Sequence, residues 1–487
     1  MAKETSSEIS FQTAANVAMR IEDVLSQERG QGSDKRPCHS GCFSGALSGG
    51  RVLGNEKYFS PLNSTSIKKA KERFMSIDPT KLRDPPMPSY TFTIYHRDVF
   101  KKSKFKDYDS LLENRLARSH ARASSLASII ENENRIGENE TLTRQHNAQG
   151  SKIDREKVPK STSTYFANGE YVASFRLGSQ ESRKYSENCF LHGERCLEDL
   201  DLSYKCTSDH SCTYYVKYGD GARTKGFMAD DVITFVLDQR PVRIILGCSK
   251  DQTSGTTFSG EYSGIAGLGR RKIMGGYSLP TQFGADIMSM CLPGFYSATG
   301  SSLNFHTTKW PRATSAKLLL NIKYPSFYFV NLYKVFINDR EVELSPSWWN
   351  FKKDLTGGIF VDTGTVISYF PQEFYTIFRY IFREEVRDIP LVDTPAAGPL
   401  DTCYKEDPSG RELNFPVVKL YFGSVSPSNM LLLAKERVIL HLRGQYCLAF
   451  AGWDRSFAIL GSYQLQGVGL TFDTSANTLS FDIDACN

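Results

Sequence analysis

The run from Gly358 to Phe370 carries Asp362-Thr363-Gly364-Thr365 at the end of an apolar stretch, and the triplet occurs once in the chain. An apolar strand that stops at such a turn places a carboxylate where backbone amides and a hydroxyl can hold it. A carboxylate of this kind activates water when a second one faces it and the two share a proton. Only one member of such a pair is recognisable here.

The segment Ser263 to Gly269 echoes Phe457 to Ser462, each apolar-apolar-glycine at the end of a strand-rich block. Spacing from that echo places a second Asp-Thr-Gly near or shortly after Gly169. Instead the chain runs from Phe175 through Ser179 to Cys189 without one. Asp199 and Asp201 lack the apolar strand and the following glycine, and Asp220 sits in a Tyr-Gly-Asp-Gly turn, so none of them replaces it.

The elements that must position Asp362 are short strands. Beyond Tyr165 they recur with turns between them: 169–175, 212–218, 231–237, 242–246, 327–332 and 469–472. This density implies an all-β architecture, and 24 Tyr with 31 Phe in 487 residues suit it. One helix stands out, 371–386. Upstream, residues 1–84 are polar and read as a disordered extension. Residues 85–164 read as a strand-like piece at 90–95, a helix and a linker. In that helix Leu112, Leu116, Ala123, Leu126 and Ile130 recur at helical spacing, with Arg115, Arg118 and Arg122 on other faces. Either the helix is a solvated basic one, or its cations lie across an acidic cleft.

Eleven cysteines, nine of them after residue 188, form no CxxC pair and accompany no histidine cluster, which argues against zinc. Scattered cysteines in a Tyr-rich β region point to disulfides and an oxidising compartment. The residues from Met1 to Arg20 have no apolar core of signal-peptide length. No stretch reaches the length of a membrane span. A net charge of +5 without a basic stripe gives no case for nucleic acid.

In combination and order, several pieces resemble the pepsin-like aspartic endopeptidases of the plant, nepenthesin-like type. They are Gly169-Glu-Tyr-Val, Cys206 and Cys212 before Tyr218-Gly-Asp-Gly221, Gly264 to Gly269, Phe360 to Thr365, Leu400 to Tyr404, Tyr446 to Phe450 and Ile459 to Tyr463. His96-Arg97-Asp98 resembles that family's pro-segment. The resemblance implies a bilobal, all-β, pepsin-like double-barrel fold with few short helices, its first lobe (165–315) truncated and its second (316–487) entire. It implies Asp362 as a catalytic carboxylate and Thr363, Gly364 and Thr365 as the turn that supports it. Tyr218, with Gly219, Asp220 and Gly221, matches the flap.

The activity this resemblance implies is aspartic-type peptide-bond hydrolysis, weak or absent for want of the second Asp. The alternative is a non-catalytic, inhibitor-like protein that binds a peptide or protein on the same scaffold. No cofactor or metal is implied. The expected partner is a peptide or protein substrate, the expected state a monomer, and the expected location secreted, apoplastic or vacuolar. A sequence from which one internal block and the true beginning have been omitted would also account for the missing Asp segment and the missing signal peptide.

Overall fold

A computed structural model describes residues 9–10, 17–21, 63–79, 90–143, 171–177, 183–184, 205–206, 212–217, 223–234, 241–253, 264–270, 278–306, 314–343, 345, 349–393, 395, 398–409, 411–483 and 485–486. These residues are mostly β-sheet with few helices.

The core of the C-terminal half is a buried sheet around the strand Ile359–Asp362, all four residues of which are buried. That strand pairs antiparallel with Tyr328–Val330 and parallel with Ala458–Gly461. Ser368–Pro371 lies parallel to Phe450–Trp453 and bridges to Ile459. Strands covered on both faces carry unbroken apolar runs, as Ile359-Phe360-Val361 and Ala458-Ile459-Leu460 do. Two smaller sheets flank this core. One contains Arg340–Val342, Leu332–Ile337, Val418–Phe422 and Met430–Leu433, and the other Cys403–Lys405, Gln445–Leu448 and Ile439–Leu442. A disulfide between Cys403 and Cys447 staples the second of these, and another joins Cys291 to Cys486 across 195 residues of sequence. The helix Gln372–Glu385 buries Phe374, Phe378, Ile381 and Phe382, at the spacing of a single apolar face.

A second antiparallel sheet joins the two halves of the chain. Thr91–His96 lies between Tyr171–Ala173 and Ser301–Asn304. The ladder continues through Ile287–Cys291, Gly469–Asp473 and Thr478–Asp482 to Thr314–Lys317. Every residue of Thr91–His96 is buried, so this N-terminal piece is an integral strand of the sheet.

Three sequence expectations need correction. The polar composition of residues 1–84 predicts disorder, yet Val17–Ile21 pairs with Tyr171–Phe175 and with Gly264–Ala266. Helix α1 (Ser64–Ser76) also lies in that segment and is capped by the Asn63 side chain, which accepts from the Ser66 N–H at 2.8 Å. Ile67, Lys71 and Phe74 share one helical face, and that face is buried. Of the helix and linker expected within residues 85–164, the helix reaches as far as Thr143. A short helix α2 (Asp98–Lys101) leads into α3 (Tyr108–Thr143), 36 residues long. Finally, α3 is no solvated basic helix, because Arg115 and Arg122 are buried and Arg118 is 9% exposed. The stretch from Ser179 to Cys189, where the sequence lacks the expected Asp-Thr-Gly segment, lies outside the described residues apart from Arg183 and Lys184.

Candidate functional site

Asp362 ends its buried strand and is 3% exposed. The turn after it is built around its carboxylate. The Gly364 N–H donates to Oδ1 at 3.2 Å and the Thr365 hydroxyl to Oδ2 at 2.6 Å. The Thr365 N–H closes the turn onto the Asp362 carbonyl at 3.2 Å. Thr363 is buried in the same turn.

The segment Ile459 to Tyr463 locks this turn from behind. The N–H groups of Ser462 and Tyr463 donate to the carbonyls of Thr365 and Val366, both at 2.8 Å. Gly461 lies so close that a Cβ there would meet the Val366 and Ile367 carbonyl oxygens at 2.6 Å. Only glycine fits, which explains the glycine of the sequence echo.

The open side of the carboxylate is filled by α3. Arg122 donates from Nε to Asp362 Oδ2 at 2.7 Å and from Nη2 to Oδ1 at 2.8 Å, a two-pronged ion pair with both side chains buried. Three more contacts seat the helix. The Val366 N–H donates to Ser119 Oγ at 2.8 Å, His120 Nδ1 lies 3.3 Å from the Tyr369 hydroxyl, and the Tyr324 hydroxyl donates to the Ile130 carbonyl at 3.0 Å. Leu112, Leu116, Ala123, Leu126 and Ile130 are all buried. Among the described residues, Gly364, Thr365 and Arg122 supply the bonds to the Asp362 carboxylate, and no second carboxylate reaches it.

The register of α3 is set by the His96-Arg97-Asp98 motif. Arg115 Nε donates to Asp98 Oδ2 at 2.7 Å, and Arg118 Nη2 reaches both oxygens at 3.0 and 3.1 Å. Burial alone would raise the Asp98 carboxyl. The charges of Arg118 and Arg115 outweigh burial and hold it well below the usual carboxylate range. His96 is packed between the rings of Tyr171 and Phe295, with centroids at 5.3 and 5.7 Å. Burial, reinforced by the Arg115 charge, keeps it far more reluctant than usual to take a proton.

Asp362, Thr363, Gly364 and Thr365 lie together in one buried turn. The flap residues Tyr218, Gly219, Asp220 and Gly221 lie outside the described residues. The strands on either side of them, Cys212–Lys217 and Arg223–Thr234, pair as a hairpin that closes at Lys217 and Arg223. Sequence reasoning missed the Arg122–Asp362 and Asp98–arginine pairings. The signal was present, because residues 115, 118 and 122 are spaced i, i+3, i+7 and share one helical face.

Two family profiles match the chain, "Xylanase inhibitor N-terminal" over residues 161–305 and "Xylanase inhibitor C-terminal" over residues 327–482. Among curated proteins, aspartic proteinase nepenthesin-2 of Nepenthes gracilis is 26% identical over 291 residues, 59% of this chain and 64% of that protein. Nepenthesin-1 of the same plant is 27% identical, and the match spans 63% of its length. The chain therefore spans just under two thirds of these relatives. The Arabidopsis thaliana protein ASPARTIC PROTEASE IN GUARD CELL 2 is 25% identical over 467 residues, 84% of this chain and 90% of that one. Among solved structures, soybean basic 7S globulin superposes with a TM-score of 0.47 at 17% identity, covering 64% of this chain and 87% of that one. With profiles over residues 161–305 and 327–482 and plant aspartic proteases among its relatives, the chain belongs to the pepsin-like aspartic protease family.

Proposed function

We propose that this chain is an aspartic-type endopeptidase by descent whose site is closed by its own N-terminal helix, with weak or no peptide-bond hydrolysis in this form. Asp362 is the dyad carboxylate, held by Gly364 and Thr365. The observation that carries this reading is the buried two-pronged pairing of Arg122 with Asp362. A guanidinium there blocks the position of the attacking water and engages both carboxylate oxygens with donors that cannot accept a proton. Residues 63–143 then act as a pro-segment, with Thr91–His96 as its anchoring strand and α3 as its plug. Loss of one acid–base partner removes roughly 10²–10⁴-fold in rate. The disulfides Cys291–Cys486 and Cys403–Cys447 support a secreted, apoplastic or vacuolar setting.

One observation favours the second reading, a non-catalytic peptide-binding protein on this scaffold. Asp362 already has a complete set of donors without a second acid, so the site is a finished receptor for a cationic side chain.

Cleavage of a fluorogenic peptide by the purified chain at mildly acidic pH, with and without pepstatin, tests the proposal. The expected result is turnover at or near background, before and after limited acid treatment. Pepstatin-sensitive turnover abolished by Asp362→Asn would show that a second acid completes the dyad.

A further inference from the structure

Asn63-Ser64-Thr65 has the acceptor pattern of N-linked glycosylation, an asparagine followed two residues later by a hydroxyl side chain. Such triplets arise often by chance, so the local geometry has to carry the case. Asn63 stands just ahead of α1 with an extended backbone, φ −123° and ψ 146°, and is partly exposed. The two polar atoms of its side chain are used differently. Oδ1 accepts from the Ser66 N–H at 2.8 Å and caps the helix. Nδ2 makes no hydrogen bond among the described residues.

The cap fixes the amide plane. The Ser66 N–H only donates, so the atom facing it is the oxygen, and the nitrogen is turned away from the helix. That nitrogen is the atom to which an N-linked sugar is joined. The bond replaces one of its two protons and leaves the carbonyl free, so a modified Asn63 still caps α1. Thr65, whose hydroxyl completes the triplet, is exposed. Ser64 and Thr65 also border a cavity of about 710 Å3, shared with Lys68, Glu72 and Lys106, so this end of α1 adjoins open space.

The triplet Asn139-Glu140-Thr141 differs, because it lies inside α3. Residues i and i+2 of a helix point to different faces, so that asparagine and hydroxyl are not presented together.

We propose that Asn63 is a glycosylation site that carries an N-linked oligosaccharide at the start of α1 and keeps its cap. The donor is a lipid diphosphate-linked oligosaccharide of the secretory route. Nδ2 attacks C1 of the N-acetylglucosamine next to the diphosphate. The C1–N bond forms as the C1–O bond breaks, the lipid diphosphate leaves, and the proton displaced from Nδ2 passes to a base of the transferase. The modification rests on the secreted setting that the disulfides support. It makes no demand on Asp362 or on hydrolysis.

A peptide map of the full chain, secreted from plant cells behind an added leader, tests it. A peptide N-glycosidase in heavy-oxygen water converts a glycosylated asparagine to labelled aspartate, and residue 63 is expected to gain that label. Thr65→Ala destroys the triplet and keeps the cap. Asn63→Asp keeps a capping oxygen and offers no nitrogen. Both are expected to show no label at residue 63. Hydrogen exchange of α1 is expected to match between the glycosylated chain and Asn63→Asp. An unlabelled Asn63 in the secreted chain with Cys291–Cys486 formed overturns the proposal, and so does faster exchange of α1 in the glycosylated chain. If a variant is not secreted, the map of the unaltered chain decides. The setting is read separately in the chain expressed without a leader, where free thiols at Cys291 and Cys486 would contradict secretion and leave the leader-directed result at Asn63 standing.

Discussion

At the scale of single residues, the site is organised by close approach. Gly364 lies against the Arg122 guanidinium, and a Cβ there would meet Nε at 2.6 Å and Cζ at 2.7 Å. Gly364→Ala therefore displaces the guanidinium while leaving the strand and the Thr365 hydroxyl in place. The expected cost to docking of α3 is about 1–3 kcal/mol, the range for overpacking a filled site. Exchange rates of α3 amides measure it, and rates equal to those of the unaltered chain would show that the guanidinium does not occupy this position. Asp362 and its turn were legible in the sequence because an apolar run broken by Asp-Thr-Gly-Thr has few other uses. The identity of the occupant was less legible. A cation on a helix is usually solvated, and the i, i+3, i+7 spacing of three arginines gains meaning only when an acidic partner is known to lie beneath it.

At the scale of elements, the strand Thr91–His96 and helix α3 act as one unit through Asp98. Two buried arginines rely on that carboxylate. Asp98→Asn leaves both without it and is expected to weaken docking of α3 by about 3–5 kcal/mol, the usual cost of breaking a buried pair from one side. The pH dependence has a definite sign. Asp98 is held below its ordinary pKa, so its contribution is complete above about 4 and is lost as pH falls below that value. Unfolding followed from pH 6 to pH 3 should show a steep loss for the unaltered chain and a flatter one for Asp98→Asn, and parallel curves would contradict this. The β-rich character and the helix over 371–386 could be read from periodicity alone. Helix α1 could not, since its buried face of Ile67, Lys71 and Phe74 includes a lysine, which breaks the apolar pattern and finds its partners only in the folded protein.

At the scale of the whole molecule, the C-terminal half supplies a finished carboxylate site and the N-terminal segment supplies what fills it. Distant pieces could be placed by resemblance, but their mutual packing could not, because Arg122 and Asp362 are 240 residues apart and local pattern carries no information at that range. This pairing is the contact of α3 with the carboxylate itself. A double-mutant cycle over Arg122→Ala, Asp362→Ala and the double variant probes it, read as the opening free energy of α3 by hydrogen exchange. Each single change is expected to cost about 3–5 kcal/mol and the double change less than their sum by a coupling of about 1–3 kcal/mol. Strictly additive effects would mean that the guanidinium and the carboxylate do not meet, and that α3 does not plug the site through Arg122.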